Sequence, residues 1–140
     1  MDGRHEFRVR VYFEDTDAQG VVYFANYLKF MERARTEWLR ELGIEQDCLM
    51  EEHGLCFTLT GTAARFHRPA RFNDQLIVRT RTRRIGHASI TLEQAVHRAA
   101  DDELLCSSDC VAACIDARSF RPRRLPADLF DAQRRLIAPD

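Results

Sequence analysis

Phe24-Ala25-Asn26-Tyr27-Leu28-Lys29-Phe30-Met31-Glu32-Arg33-Ala34-Arg35-Thr36-Glu37-Trp38-Leu39-Arg40-Glu41-Leu42-Gly43 is the clearest periodic stretch of the chain. Apolar residues fall at 24, 27, 28, 31, 34, 38, 39 and 42, the i, i+3, i+4 spacing of one helical face, and Gly43 supplies a stop. Ahead of it, residues 7–13 alternate apolar and basic side chains, the period of a half-buried strand, and residues 14–20 form a polar, acid-rich loop. Behind it, residues 45–52 read as a short helix ended by Gly54. Four stretches follow, 55–67, 75–85, 88–99 and 104–117, rich in Thr, Val, Ile, Leu and Phe. They are separated by Arg-Pro-Ala, Gly86-His87 and Asp101-Asp102 turn signals. Links this short predict antiparallel neighbours. An Arg- and Pro-rich segment at 118–126 leads to a terminal helix predicted over 127–137. The order predicts an α+β fold in which an antiparallel sheet is covered by one long helix.

With 140 residues the chain is expected to form a single domain over 1–140. Apolar residues at 45% and charged residues at 31% exclude a disordered chain. A net charge of -1 gives no bulk attraction for nucleic acid or an anionic membrane. Residues 1–10 hold charges and no apolar run, and no apolar stretch approaches the ~20 residues that span a bilayer, so a cytoplasmic protein without membrane insertion is expected. Lys29 is the only lysine among 21 basic residues, a bias that suits phosphate but can equally reflect base composition. The five cysteines are an odd number and are expected to be reduced. Cys106, Cys110 and Cys114 share one face of a strand and read as small buried side chains rather than metal ligands.

Glu14-Asp15-Thr16-Asp17-Ala18-Gln19-Gly20-Val21-Val22-Tyr23-Phe24-Ala25-Asn26-Tyr27 resembles the signature of the 4-hydroxybenzoyl-CoA thioesterase family. The resemblance continues through residues 30–37, Arg68-Pro69-Ala70-Arg71 and Arg121-Pro122-Arg123-Arg124-Leu125-Pro126, covering nearly the whole chain. It is nearest to the branch of acyl-CoA thioesterases associated with the bacterial Tol-Pal envelope system. That implies a hotdog fold, a homodimer or homotetramer with sites shared between subunits, an acyl-CoA substrate, and neither metal nor cofactor. Association with an acyl carrier protein or with Tol-Pal is a further implication. One departure stands out: members of this branch commonly carry histidine where this chain has Phe24, so a mechanism needing an imidazole there does not transfer.

Thioester hydrolysis needs water or a carboxylate to attack the carbonyl and donors for the oxyanion that forms. The resemblance assigns these roles to Asp17 and to the backbone N–H of Phe24, at a helix start whose unpaired donors suit an anion. Without it, Asp17 would read as a turn residue satisfying local donors. Glu14 and Asp15 are expected to be solvated loop acids. Asn26 reads as a helix-start cap and, with Tyr23, is carried as a candidate substrate contact. The spacing after Asp15 does not complete a calcium loop. Glu32 is the alternative acid, although it and Glu37 read as a solvated, ion-paired helix face. Trp38 reads as core.

For the phosphates of coenzyme A, Arg121, Arg123 and Arg124 are the preferred contacts, ahead of Arg79, Arg81 and Arg83, which could equally be an exposed sheet face. No aromatic interleaving accompanies either cluster, so nucleic acid is not expected as a partner. His67 stands at a strand end and could line a pocket; His5, His53, His87 and His97 read as surface or turn residues. A non-catalytic hotdog adaptor or acyl-carrier module is the rival class, and a hotdog dehydratase the third.

Overall fold

Why the long helix settles where it does is visible in a computed structural model describing residues 4–136. The chain runs β1 (His5–Arg10), a 3-10 turn (Phe13–Asp15), α1 (Phe24–Glu41), α2 (Gln46–His53), β2 (Leu55–Phe66), β3 (Gln75–Ile85), β4 (Ser89–Arg98), β5 (Leu104–Asp116) and α3 (Ala127–Leu136). Position 137, the expected end of the last helix, lies outside the described residues. Helix α1 buries Tyr27, Phe30, Met31, Ala34, Trp38 and Leu39 against the sheet. Three members of its periodic apolar set, Phe24, Leu28 and Leu42, stay exposed. They lie at the rim of the stripe or at the helix ends, beyond the strands it covers.

The five strands form one antiparallel sheet in the order β1-β3-β4-β5-β2. The short links β3–β4 and β4–β5 join neighbours as expected. The link from β2 to β3 does not: residues 67–74 cross the end of the sheet, so β2 pairs with β5 and becomes an edge. A period-2 pattern specifies which side chains face inward but not which strand lies alongside, and here the crossover decides that. One core cluster, including Phe30, Met31, Leu76 and Val78, sits under the first half of α1. A second, including Trp38, Leu92, Cys110 and Leu129, sits under the second half, where α2 and α3 close it.

Cys106, Cys110 and Cys114 all lie within the core. Burial pushes the Cys106 thiol up to about 11 and raises those of Cys110 and Cys114 as well. Such thiols stay protonated near neutrality, which makes them packing groups rather than nucleophiles or ligands.

Candidate active site

The acid-rich segment before α1 is sewn into a closed loop. Asp17 donates its N–H to the Val21 carbonyl (2.9 Å) and accepts the Gly20 N–H on its own carbonyl (3.0 Å). Gly20 reaches that position at φ 81°, which favours a residue without Cβ. The loop then locks against the sheet end, with Val22 N–H donating to Ala70 O at 2.8 Å and Val21 bridging Arg71. Asp17 is therefore held opposite Val21, and Val21 stands three residues before the first residue of α1. Asp17 as a whole is half-buried. Oδ1 accepts the Gln19 N–H at 2.9 Å, and Oδ2 has no protein partner among the described residues. Asp17 thus does satisfy one local donor while keeping an oxygen available.

At the helix start the donors are unequally used. Tyr23 is the N-cap residue, with no side-chain cap, and its N–H goes to the Asp15 carbonyl at 2.9 Å. The N–H of Asn26 goes to Tyr23 O at 2.8 Å. Those of Phe24 and Ala25 find no acceptor among the described residues, leaving two donors at the positive end of an eighteen-residue helix. The Phe24 ring is 55% exposed and packs edge-on against Phe66 at 5.8 Å, with the exposed Tyr23 ring tilted beside it at 4.7 Å. Together with Val22, Tyr27, His67, Arg68 and Pro69, these two phenylalanines line an open pocket of about 230 Å³.

Two expectations fail here, for one reason. Asp15 is not a solvated acid but 8% exposed, and Asn26 does not cap the helix. Asn26 is the third residue of α1, 9% exposed, and its Nδ2 donates to Asp15 Oδ1 at 2.9 Å. Asp15 Oδ2 accepts the Tyr12 N–H at 2.8 Å. A buried carboxylate is tolerated because both oxygens are paired. Burial of a loop acid leaves no mark in sequence periodicity. The only available signal was the eleven-residue spacing between an acid and an amide on either side of a turn-rich segment.

The other candidate residues lie elsewhere in the chain. Arg121, Arg123 and Arg124 stand beyond the Asp116 end of β5, whereas Asp17 adjoins its Leu105 end, where His67 N–H donates to Leu105 O. The two ends are roughly 35–40 Å apart along a thirteen-residue strand at ~3.3 Å per residue. Arg123 is ion-paired with Asp116 at 2.9 Å, while the side chains of Arg121 and Arg124 are exposed. The backbone N–H groups of Ser119 and Arg118 hold the Asp116 carboxyl below its ordinary value, with the Arg123 charge assisting. Arg123 is thus part of the turn.

Arg79, Arg81 and Arg83 are matched by Asp102, Glu93 and Asp109 at 3.1–3.3 Å, a neutralised sheet face. Glu37 pairs with Arg40 as read from the helix, but Glu32 turns to Thr36, whose hydroxyl donates at 2.9 Å. Glu32 and Thr36 line a cavity of about 310 Å³ together with Trp38, Leu39, Phe57 and Leu92. Trp38 is both core and cavity wall. His67 contacts Ser107 Oγ at 2.9 Å on the surface. His5 and His97 are half-buried rather than surface residues, because β1 and β4 tuck them against neighbouring strands.

A sheet wrapped on one helix, with a carboxylate loop at the helix start, defines the class as a hotdog thioesterase fold. The chain belongs to the Thioesterase-like superfamily, which matches residues 11–133. It is 40% identical over 129 residues to the acyl-CoA thioesterase YbgC of Haemophilus influenzae, covering 92% of this chain and 93% of that one. With the acyl-CoA thioester hydrolase YbgC of Escherichia coli O6:H1 it shares 38% over 121 residues, covering 86% and 89%. A probable thioesterase from Bartonella henselae superposes with a TM-score of 0.82 at 36% identity, over 88% of this chain and 99% of that one. A 1,4-dihydroxy-2-naphthoyl-CoA thioesterase from Synechocystis gives a TM-score of 0.88 at 23% identity over 98% and 100%, a likeness of fold.

Proposed function

We propose that this chain hydrolyses an acyl-CoA thioester to the free acid and CoA, with Asp17 as general base or nucleophile. The observation that carries this reading is the held Asp17 loop leading into α1, with one carboxylate oxygen of Asp17 and the N–H groups of Phe24 and Ala25 all without a partner among the described residues. In the first step water, deprotonated by Asp17, or Asp17 itself adds to the thioester carbonyl. The oxyanion is received by the N–H of Phe24, a role that does not depend on its side chain. The C–S bond then breaks and the CoA thiolate leaves, taking the proton held by Asp17 in the general-base route or one from water in the nucleophilic route. If Asp17 is the nucleophile, water hydrolyses the resulting anhydride. The names carried by the relatives, acyl-CoA thioesterase and acyl-CoA thioester hydrolase, support the substrate class.

One chain does not assemble the whole site, and the edge strand supplies a reason to pair two. β2 is twelve residues long, with residues 58–63 exposed and Leu59 and Phe66 showing 41% and 49% of their surface. Unpaired edges of this length invite a strand from another chain. Its Phe66 end adjoins the Asp17 site, and its Leu55 end pairs with Asp116 beside the arginines. Antiparallel pairing with the same strand of a second copy would set Asp17 near Arg121 and Arg124 of the partner subunit. Tyr23 would flank the entering thioester. A homodimer is therefore the working unit, and pairs of dimers would give the homotetramer. By resemblance, the same reading carries a cytoplasmic location and association with Tol-Pal or an acyl carrier protein.

Asp17→Asn tests the reading. The amide keeps the shape and the acceptor for Gln19 but can neither take a proton nor attack, so kcat on the best acyl-CoA should fall at least ~100-fold. Fold and assembly should be retained. Retention of most of the wild-type kcat would sink the assignment and move the search to Glu32.

A further inference from the structure

We infer that the buried Asp15–Asn26 pair is a positioning device for Asp17, holding its carboxylate in register with the helix start; the inference rests on the catalytic role proposed for Asp17. Every polar atom of Asp15 is committed. Its N–H donates to Tyr12 O at 3.0 Å, its carbonyl accepts the Tyr23 N–H at 2.9 Å, and its two carboxylate oxygens take Tyr12 N–H and Asn26 Nδ2 at 2.8 and 2.9 Å. One side chain therefore joins the segment that follows β1 to the first turn of α1. The backbone of the same residue holds the N-cap.

Residues 15–23 form a closed ring whose two ends both meet at Asp15, and Asp17 lies two residues inside it. Neither end can shift without breaking a bond to Asp15. Asp17 contributes only the local bonds to Gln19, Gly20 and Val21, which fix the shape of the turn but not its distance from the N–H of Phe24. The clasp sets that distance together with the bonds that hold Val22 to Ala70 and Val21 to Arg71, and it ties the start of the loop to the first turn of α1. Displacement by about 1 Å of an attacking group costs on the order of 100-fold in rate, so a clasp remote from the reacting carbonyl has a large effect on turnover. The negative charge also lies beside the positive end of α1, where it is favoured.

Five proteins test this: wild type, Asp17→Asn, Asp15→Ala, Asn26→Asp and the exchange Asp15→Asn with Asn26→Asp. The exchange keeps the pattern with its polarity reversed, because an Asn side chain at 15 can accept the Tyr12 N–H and donate to a carboxylate at 26. Asp15→Ala should lower kcat ~100-fold while changing KM less than about threefold, in protein that is folded and assembled at the assay temperature. Hydrogen exchange of the Asp17 and Gly20 amides should quicken. Asn26→Asp, which sets two carboxylates against each other, should lose activity similarly, and the exchange should recover at least about tenfold of that loss.

A purely structural role predicts losses that track melting temperature with kcat unchanged in the folded fraction, and that outcome overturns the inference. So does an exchange variant no better than Asn26→Asp. A wild type that releases no thiol from any acyl-CoA overturns the hydrolase reading and this inference with it. An active wild type, an inactive Asp17→Asn and an unimpaired Asp15→Ala overturn this inference alone.

Discussion

At the scale of single residues, the site depends on polar groups taken out of water and paired. Tyr27 illustrates it a turn into α1: its ring is core, and its hydroxyl accepts the Ala70 N–H at 3.1 Å, tying the helix to the loop on which Val22 is bonded. Burial raises the Tyr27 phenol above its ordinary value of 10.0, with the Ala70 hydrogen bond opposing it. A raised folded-state value means that the neutral phenol is favoured in the fold. Its stabilisation is fully present below pH 10 and is lost as pH rises through the folded value. Tyr27→Phe should cost about 1–3 kcal/mol at neutral pH by orphaning a buried N–H. It should also flatten the fall in stability between neutral and strongly alkaline pH, and urea unfolding at pH 7 and at high pH measures both effects. A loss that is the same at both pH values would contradict this account.

At the scale of elements, the turn after β5 combines two kinds of arginine that sequence alone presents as one cluster. Arg123 is held by Asp116, so reversing its charge would disturb the turn as well as any ligand. Arg121 and Arg124 are exposed, with no ion pair among the described residues, and their paired change to Glu is the cleaner probe. KM for acyl-CoA should rise at least about tenfold while kinetics on an acyl thioester of N-acetylcysteamine, which lacks the phosphates, stay close to wild type. Equal effects on both substrates would make the turn structural only. Element ends were legible for physical reasons. Gly43 and Gly54 stop α1 and α2, both at positive φ, and Gly86-His87 and Asp101-Asp102 turn the chain between neighbouring strands.

For the whole molecule, the exposed β2 edge makes assembly the property to measure. Leu59→Lys with Ala63→Lys puts charge on the strand that would pair with its own copy, an arrangement that natural edges use to stay single. Light scattering should show a shift from dimer or larger to monomer, with far-UV circular dichroism unchanged and acyl-CoA turnover lost. A wild type that is monomeric at micromolar concentration would remove the shared-site reading. The separation of Asp17 from Arg121 and Arg124 within one chain would then have no remedy.

Strand and helix placement was available from the sequence because periodicity is a local property. The spacing from 24 to 42 and the Thr- and Val-rich runs after 55 each report burial along their own element, and the proposal of Asp17 rests on a contiguous motif. What lay beyond local pattern was decided by tertiary structure. The crossover at 67–74 made β2 an edge, an outcome that depends on which strands pack together. Burial of Asp15 against Asn26 depends on the loop folding back on the helix, so neighbouring residues carry no trace of it. The distance between Asp17 and the arginines follows from the length and direction of β5, and along the chain nothing distinguishes groups that meet from groups held at opposite ends of a sheet.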